Sequence, residues 1–409
     1  MKTTDVCKTA LIPMALALVW LSPPARAQVQ LVSEGHGAGT QCASTGVNDG
    51  GEVVGACRSG TGVPVAFTAP AGIELPLAPP SGSLGCAAEG VANDGTVVGQ
   101  CRTNAGTLAA VRWSSPAASS APEALTPLSL LGLLNQVSSI ASSFNQVGVI
   151  GGSSLDGNGN GTAVLWMRGQ TSPTQVSNGG DNCTVVDETD ALMPVVILNC
   201  PDGNGRKVAK YAVPTGLLGT YSLRPMATDP DALNCYAAGI NNKGMVIGTC
   251  EYATTPYDRL ATWKSPYENV FTSAISNPVD LTEYSTRGAF INNNGNIVVH
   301  FRGSKGYDTA AYIDGATLGQ LIIPASLPGT PVVATALADN NRVLVEREDT
   351  VGRVRSGIFE PATPNTMKTE TYPGALNSGV DAISMSGNNV AGSVEDADHT
   401  ETAVAARVP

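Results

Sequence analysis

The stretch GVNDGGEVVGAC, residues 46–57, decides the fold because the chain returns to it repeatedly. Each copy has an apolar residue, a cluster of Asn, Asp and Gly, and then a run of β-branched residues. Asn, Asp and Gly tolerate positive φ, and Val and Ile favour extended backbone, so each copy predicts a tight β-hairpin. The close copies are GVANDGTVVGQC (90–101) and GINNKGMVIGTC (239–250), and the looser ones are FINNNGNIVVHF (290–301), LADNNRVLVERE (337–348) and ISMSGNNVAGSV (383–394).

The spacing of these hairpins defines a repeating unit. Each hairpin is followed by a third apolar segment, such as PVAFTAP (64–70). Several units carry a fourth, such as IELPLAP (73–79) and PVDLTEY (278–284). Four strands in about 48 residues, repeated along the chain, predict an all-β protein, a β-propeller of four-stranded blades. Eight such units fill the 382 residues that remain of 409 once residues 1–27 are set aside, with seven blades or an open array as alternatives.

The two ends of the chain fit ring closure. The eighth unit stops at Pro409 after its third strand, whereas QVQLVSEG (28–35) is a surplus strand before the first unit. We therefore expect the N-terminal strand to complete the last blade, which also removes an exposed sheet edge.

Two segments depart from the repeat. The fourth hairpin, CTVVDETDALMPVVILNC (183–200), has a longer turn and a proline in its predicted second strand. Residues 128–140, LSLLGLLNQVSSI, form an apolar insertion before the third hairpin. We interpret the insertion as a short helix or plug over the core, with a membrane-binding loop as the alternative.

The first 27 residues have the pattern of a signal peptide. Lys2 and Lys8 give a weakly basic start, residues 10–21 are apolar, and Ala25-Arg26-Ala27 is a small-x-small cleavage site. We expect cleavage near Ala27 and a single propeller domain over residues 28–409, secreted or periplasmic. No later stretch reaches the roughly 18 apolar residues that a membrane span needs.

Eight cysteines remain once Cys7 leaves with the signal, and they fall into four tandem pairs. Three pairs are 15 residues apart with the Asn/Asp/Gly turn at their midpoint, and one pair is 17 apart. The sulfurs should then face each other across adjacent antiparallel strands. Reduced cysteines would leave the spacing unexplained, and a zinc site would need a CxxC or a histidine cluster. The predicted disulfides are Cys42–Cys57, Cys86–Cys101, Cys183–Cys200 and Cys235–Cys250.

The chain carries few charges, and most of them are acidic. Only 14% of residues are charged, and the net charge is −11. An acidic chain without a basic run is not expected to bind nucleic acid or an anionic membrane.

The hairpins and third strands together resemble the extracellular HAF repeats of secreted bacterial proteins, whose pattern is similar to "GINNxGxVVG … HAFxW". Residues 239–248 match the first part closely, and 46–55, 90–99 and 290–299 match it well. Residues 65–67 and the tryptophans Trp113, Trp166 and Trp263 represent the second part, although its histidine is absent from every unit. The resemblance covers nearly all of the mature chain, and it implies a structural repeat without shared catalytic residues.

Catalytic signatures are sparse. The three histidines, His36, His300 and His399, fall in different units, and no G-x-S-x-G elbow occurs. With all mature cysteines paired, a cysteine nucleophile is not expected.

One loop has the beginning of a calcium-binding pattern. Residues 156–161, DGNGNG, resemble the start of an oxygen-ligand loop, but Met167 stands where the bidentate acid belongs. Asp156, Asn158 and Asn160 are thus candidate calcium ligands, with an ordinary Asp/Asn/Gly turn as the alternative. No other cofactor is expected.

One face of a propeller gathers the loops between strands two and three and the loops between consecutive blades. Tyrosines beside charged residues on such a rim suit recognition of a glycan or protein segment, and plain solvated loops are the alternative. The candidate ligand-binding residues are Arg58, Arg102, Tyr252, Tyr257, Asp258, Arg302, Tyr307 and Asp308.

These features favour a monomeric, non-catalytic binding or scaffold propeller at the cell envelope or outside the cell. Its expected ligand is a glycan, a peptide or a protein. The alternative is an extracellular polysaccharide-active hydrolase or lyase, with paired carboxylates near the central channel.

Overall fold

The computed structural model describes residues 29–33, 41–58, 62–129, 136–216, 219–253, 258–265, 268–272, 285–302, 308–317, 320–324, 330–364, 367–369, 377–397 and 400–408. Within these ranges the chain is all-β: it forms 32 strands and two short 3₁₀ turns, Pro70–Gly72 and Ala117–Ser119, without any α-helix. None of the described segments is a helix long and apolar enough to cross a membrane.

The strands pair as successive four-stranded antiparallel units, numbered here in chain order. Unit 1 comprises β2 (Gln41–Val47), β3 (Val53–Arg58), β4 (Pro64–Ala69) and β5 (Leu75–Pro76). Unit 2 comprises β6 (Ser83–Val91), β7 (Val97–Thr103), β8 (Leu108–Trp113) and β9 (Glu123–Ala124). Unit 3 comprises β10 (Gln136–Phe144), β11 (Ile150–Asp156), β12 (Gly161–Trp166) and β13 (Thr174–Gln175). Unit 4 comprises β14 (Thr184–Glu188), β15 (Val196–Pro201), β16 (Lys207–Thr215) and β17 (Thr220–Pro225).

The second half of the chain continues the pattern. Unit 5 comprises β18 (Ala232–Ile240), β19 (Val246–Tyr252), β20 (Arg259–Ser265) and β21 (Glu268–Thr272). Unit 6 comprises β22 (Ser285–Ile291), β23 (Ile297–Arg302), β24 (Asp308–Ile313) and β25 (Gln320–Ile322). Unit 7 comprises β26 (Val332–Leu337), β27 (Val343–Glu348), β28 (Val354–Phe359) and β29 (Met367–Thr369). A parallel bridge between Val208 and Cys235 joins units 4 and 5 into one eight-stranded sheet.

The last sheet, unit 8, combines both ends of the chain. It comprises β30 (Asn377–Ile383), β31 (Asn389–Glu395) and β32 (Glu401–Arg407), with the N-terminal strand β1 (Val29–Ser33) as its fourth member. β1 runs antiparallel to β32, with Val29 opposite Ala406 and Leu31 opposite Val404. The surplus N-terminal strand therefore has the place that the sequence predicts for it.

The hydrophobic core is divided into clusters that lie between consecutive units. One cluster packs Val54 and Ala66 of unit 1 against Val97 and Trp113 of unit 2. Equivalent clusters follow at each later junction, and the last packs residues 47 and 53 of unit 1 against Ala391 and Ala403 of unit 8. Sheets that bury their faces on neighbouring sheets in this way form a propeller-like architecture.

Three local expectations are wrong or incomplete. The fourth strand of unit 5 is Glu268–Thr272, whereas the predicted segment 278–284 lies outside the described residues. Of the insertion 128–140, residues 136–140 belong to β10 rather than to a helix or plug, and 130–135 lie outside the described residues. Pro194 precedes β15, so the proline of unit 4 sits in the turn and not in the strand.

In units 1, 3, 5 and 6 the hairpin turn opens with an asparagine, whose side chain also bonds to the next unit, a role that the sequence pattern did not indicate. Asn241 Oδ1 accepts hydrogen bonds from the amides of Lys243 and Met245 at 3.0 Å each, which closes its own turn. Its Nδ2 donates to the carbonyl oxygen of Asn292 in unit 6 at 3.1 Å. Asn292 repeats the arrangement toward Ala338 of unit 7, at 3.0 Å. These side chains therefore both shape the turn and fasten one unit to the next.

The following residue of each turn forms a second chain of links between units. The amide of one such residue donates to the side-chain oxygen of its counterpart in the next unit, at 2.7–2.9 Å. The Asp339 amide continues to the Met385 carbonyl oxygen at 2.8 Å, and the Ser386 amide returns to Asp49 Oδ1 at 2.7 Å. The linked side chains are Asn93, Gln146, Asp190, Asn242, Asn293 and Asp339.

Candidate active site

The hairpin of unit 4 replaces the repeat's usual residues with two acids. In unit 1 the inner strand ends with Gly46 and Val47, which pair with β3. The equivalent positions of unit 4, which pair with β15, hold Asp187 and Glu188. Glu188 is buried and Asp187 is partly buried. Burying a carboxyl group costs free energy, so this pair indicates a purpose other than stability. In the other units the position of Glu188 is apolar: Val47, Val91, Phe144, Ile240, Ile291, Leu337 and Ile383.

Unit 3 differs from the repeat at the positions that face this pair. Ser143 stands where unit 1 has Gly46, and its partner Gly151 stands where unit 1 has Val54. A Cβ atom on Gly151 would lie 2.3 Å from Ser143 Oγ and 3.0 Å from Glu188 Oε2. The missing side chain at residue 151 therefore leaves the space that the hydroxyl and the carboxyl group occupy.

The hydroxyl and the carboxyl group are in direct contact. Ser143 Oγ donates a hydrogen bond to Glu188 Oε2. Glu188 is only 5% exposed, and its Oε1 has no hydrogen-bond partner among the described residues. Asp187 is held by backbone amides, from Ile240 to Oδ2 at 3.0 Å and from Glu188 to Oδ1 at 2.8 Å. A serine bonded to a buried carboxyl group is an arrangement that can activate a nucleophile.

The surroundings change the proton affinity of both acids. Burial, and next the charge of Asp187, raise the pKa of Glu188 to about 8. Burial also raises the pKa of Asp187 to about 6, against the opposing effect of its backbone hydrogen bonds. Burial and the charge of Glu188 raise the pKa of Tyr221 above its usual range. A group that titrates near neutral pH is well placed for general acid–base chemistry.

The acids open onto a cavity enclosed by the inner-strand ends and turns of units 3 to 8. The cavity has a volume of about 180 Å³, and Asp187, Glu188, Asp190 and Asp339 line it. The remaining lining side chains are apolar or carry amides: Phe144, Gln146, Ile240, Asn242, Ile291, Asn292, Asn293, Leu337 and Met385. The space can therefore hold a small group with both an apolar and a cationic part.

This site was not among the predicted ones. Residues 183–200 stood out in the sequence only as an irregular copy of the hairpin. The available signal was the aligned substitution itself, Asp187-Glu188 in the place of Gly-Val, together with Ser143 and Gly151 in the preceding unit. Finding it needed the strand register, because only the paired structure brings residues 143, 151 and 188 together.

The described residues of the predicted ligand-binding rim make separate local contacts and do not form one cluster. Arg58 and Arg102 lie in β3 and β7 with exposed side chains. Tyr252 donates its hydroxyl to Asp229 Oδ2 at 2.8 Å, and Arg259 lies 4.8 Å from the centre of the Tyr252 ring.

The other rim residues include an ion pair and a strand pair. Asp258 Oδ2 accepts a hydrogen bond from Arg287 Nε at 2.7 Å. Arg302 and Asp308 face each other in the β23–β24 pair, and residues 257 and 307 lie outside the described chain. Ligand recognition by this set stays a prediction.

The candidate calcium loop forms a compact turn. Asp156 Oδ1 accepts hydrogen bonds from the amides of Asn158 and Asn160 at 2.8 Å each, and Oδ2 accepts one from Asn160 Nδ2 at 2.9 Å. In the part of the chain that the structure describes, no three His, Cys, Asp or Glu side chains are grouped to hold a metal ion. Calcium binding by Asp156, Asn158 and Asn160 stays a prediction.

The predicted disulfides are confirmed. The bonds are Cys42–Cys57, Cys86–Cys101, Cys183–Cys200 and Cys235–Cys250, with Cα atoms 4.0–4.1 Å apart. Three of them join the first two strands of a unit, and Cys183 directly precedes the first strand of unit 4. They lie in units 1, 2, 4 and 5.

His300 has a structural position between two units. It interacts through Nε2 with the backbone of Ala334 in unit 7, 3.0 Å from the carbonyl oxygen and 3.1 Å from the amide nitrogen. His36 and His399 lie outside the described residues.

Comparison with known proteins identifies relatives by fold and not by sequence. No family model matches the chain, and no curated protein matches it. The resemblance to HAF repeats therefore stays a prediction.

Three similar solved structures come from hydrolytic enzymes. A prolyl endopeptidase shares 10% identity at a TM-score of 0.52, covering 74% of this chain and 45% of its own. A puromycin hydrolase shares 14% identity at a TM-score of 0.51, covering 91% of this chain and 59% of its own. A puromycin-hydrolyzing peptidase of Mycobacterium tuberculosis shares 14% identity at a TM-score of 0.50, covering 77% and 50%. At this identity the likeness establishes the fold, and the chain spans about half the length of these proteins.

These matches correct the functional expectation. The three reported structures are of peptidases and a puromycin hydrolase, and they contradict the expected non-catalytic binding or scaffold propeller. They give no specific support to a polysaccharide-active hydrolase or lyase either.

Proposed function

We propose that the chain is a secreted, peptidase-like propeller that hydrolyses peptides at the junction of units 3 and 4. The single observation that carries this proposal is the contact between Ser143 and the buried Glu188. Glu188 stands where the other units have an apolar residue, and it lines the cavity. Ser143 stands where unit 1 has Gly46, and it contacts the cavity through Glu188. The fold shared with peptidases supports the choice of peptides as substrates.

The proposed frame for this site is a closed ring of eight four-stranded blades. The packing of unit 1 on unit 8 supports closure, as do hydrogen bonds from Asn389 Nδ2 to the carbonyl oxygens of Asn48 and Asp49, at 3.2 and 3.0 Å. Pairing of β1 with β32 covers the edge of β32 and gives the last unit the same four strands as the others. A monomer is part of this proposal.

The proposed location is outside the cytoplasm. Four disulfide bonds are typical of an oxidising compartment. The pattern of residues 1–27 adds a cleavage site near Ala27, which would release the chain as a secreted or periplasmic protein.

The proposed reaction uses Ser143 as nucleophile and Glu188 as base. Ionised Glu188 takes the hydroxyl proton while Ser143 Oγ bonds to the peptide carbonyl carbon. The C–N bond then breaks, the proton passes from Glu188 to the leaving amine, and water hydrolyses the resulting ester by the same base. Because the pKa of Glu188 is raised to about 8, activity should increase with pH up to that value.

The test is a cleavage assay on the purified, oxidised mature chain. A mixture of unmodified peptides is incubated with the protein, and new termini are identified by mass spectrometry. Ser143→Ala and Glu188→Gln should each lower the rate on the order of a hundredfold or more, since each removes one half of the activated pair.

Ser142→Ala is the matched control for this assay. Ser142 is an exposed neighbour whose hydroxyl donates to the Val185 carbonyl oxygen at 3.0 Å, so its loss should leave cleavage unchanged. Cleavage that survives Ser143→Ala, or a wild-type chain that cleaves nothing, would refute the proposed function.

A further inference from the structure

The described residues that line the cavity beside Glu188 include acidic side chains and no basic ones. Its four acidic residues, Asp187, Glu188, Asp190 and Asp339, face no Lys, Arg or His among the described residues that line it. Such a space favours a positively charged guest, because opposite charges attract more strongly beside a protein wall than in bulk water.

Most acceptor positions in the cavity wall are already occupied. Asp190 accepts from the Gln146 amide and from Asn242 Nδ2, at 2.8 Å each. Asp339 accepts from the amide and the side chain of Asn293, at 2.9 Å each. All of these donors are neutral N–H groups, so they fix the carboxylates without cancelling their charge. The open acceptor is Glu188 Oε1, which is buried and without a partner in the described chain.

We propose that this cavity binds a primary ammonium group carried on a short apolar chain, with Glu188 Oε1 as its acceptor. In a substrate this group would be the free amino terminus of a peptide with an apolar first residue, an identification that rests on the proposed function. The inference names the class of peptide and adds a binding role to the cavity.

The chemistry of the wall selects ammonium over other cations. An ammonium group is a compact donor that one free carboxylate oxygen can hold. A guanidinium group binds best to two parallel acceptor oxygens, whereas Glu188 Oε2 is taken by Ser143. No three acidic groups of the described chain are placed for a metal ion. The apolar part of the guest would contact Phe144, Ile291 and Leu337.

Binding should also displace a proton. Burial raises the pKa of Glu188 to about 8, so its protonated form is favoured below that pH, whereas an ammonium group requires the ionised form as its acceptor. The other charged groups that face Glu188 are Asp187 and Asp190, with Tyr221 near enough for its pKa to respond. The release of up to one proton per ligand is therefore a signature of this site that non-specific adsorption would lack.

The experiment uses 3-methylbutylamine as the probe and 3-methylbutanol as its neutral control. Both are titrated into the wild-type mature chain by calorimetry at about pH 6.5, in two buffers with different ionisation enthalpies, so that proton release is counted. The amine should bind at least about tenfold more tightly than the alcohol and release close to one proton. Glu188→Gln should lower the amine affinity by about tenfold or more and abolish the proton release.

The outcomes separate this inference from the proposed function. Equal binding of amine and alcohol, no binding of the amine, or binding that Glu188→Gln leaves intact would each overturn the inference. Amine binding with proton release, in a protein that cleaves no peptide, would uphold the site and refute only the hydrolysis. Equal cleavage of free and N-acetylated peptides would uphold the hydrolysis and overturn the ammonium site.

Discussion

Units 4 and 5 share one sheet, yet the same turn is built from opposite kinds of residue in the two. Unit 5 has Gly239, Ile240 and Asn241, where unit 4 has Asp187, Glu188 and Thr189. Ile240 is a buried apolar side chain, and Asn241 closes its turn and fastens unit 5 to unit 6. Unit 4 places a carboxyl group in the corresponding buried position and gives it a serine from unit 3 as partner.

This difference separates two uses of one repeat. In the described chain, the buried side-chain amide of the unit 5 turn has hydrogen-bond partners, so this turn serves stability. The turn of unit 4 buries a carboxyl oxygen that has no partner among the described residues. Such a group lowers stability and is typically retained where function requires it. The departure of the unit 4 turn from the repeat is therefore the strongest indication of a functional site at Glu188.

The largest expected effect comes from breaking the regular turn. Asn241→Ala removes two bonds within the turn and one to Asn292, and should lower the free energy of unfolding by about 3 kcal/mol. Urea unfolding measures the loss, and Lys243→Ala, an exposed side chain of the same turn, is the control that should change little. Cleavage per folded molecule should stay at the wild-type level, and a parallel loss of activity would show that the two turns do not differ in use.

The regular turns were predictable from the sequence, because their demands are local. Asn, Asp and Gly in close succession specify positive φ and a tight reversal, and Gly51, Gly95 and Gly244 do adopt φ near +80°. The eight-cysteine pairing followed from the same register. The bonds that Asn241 sends to the next unit were not predictable in this way, since they depend on how two sheets dock.

The fourth strand of unit 5 shows where local patterns fail. Residues 278–284 have the alternation of a strand, but the edge strand of this sheet is Glu268–Thr272. Edge strands are short and partly exposed, so their sequences are weakly constrained. The Ser143–Glu188 contact could not be predicted from the sequence for a different reason. The two residues are 45 positions apart and meet only where units 3 and 4 pack together.

A smaller effect is expected from restoring the regular residue at the exceptional junction. Gly151→Val introduces a residue that unit 1 carries at the same position. Its Cβ would lie 2.3 Å from Ser143 Oγ, so the substitution should cost about 2 kcal/mol by overpacking and lower cleavage.

Gly151→Val should be tolerated when Ser143 and Glu188 are replaced by the residues of a regular unit. Ser143→Gly and Glu188→Ile introduce the residues that unit 5 has at these two positions. In a chain that carries both changes, Gly151→Val should lower the free energy of unfolding by less than about 1 kcal/mol. Urea unfolding of the wild type and the three variants gives the coupling energy. Equal costs in both backgrounds would show that Gly151 does not make room for Ser143 and Glu188.

The central claim is that Glu188 is a buried, titratable exception in an otherwise apolar repeat position, and the pH dependence of stability tests it most directly. The folded-state pKa of about 8 lies above the ordinary value of 4.5, so the folded chain holds this proton more tightly than the unfolded chain. The resulting stability is complete below about pH 4.5 and is lost as the pH rises through about 8. The measurement is the urea midpoint of wild type and Glu188→Gln between pH 5 and pH 8. We predict that the wild type loses more than about 1 kcal/mol over this range and that the variant loses clearly less, whereas parallel curves for the two proteins would contradict the account.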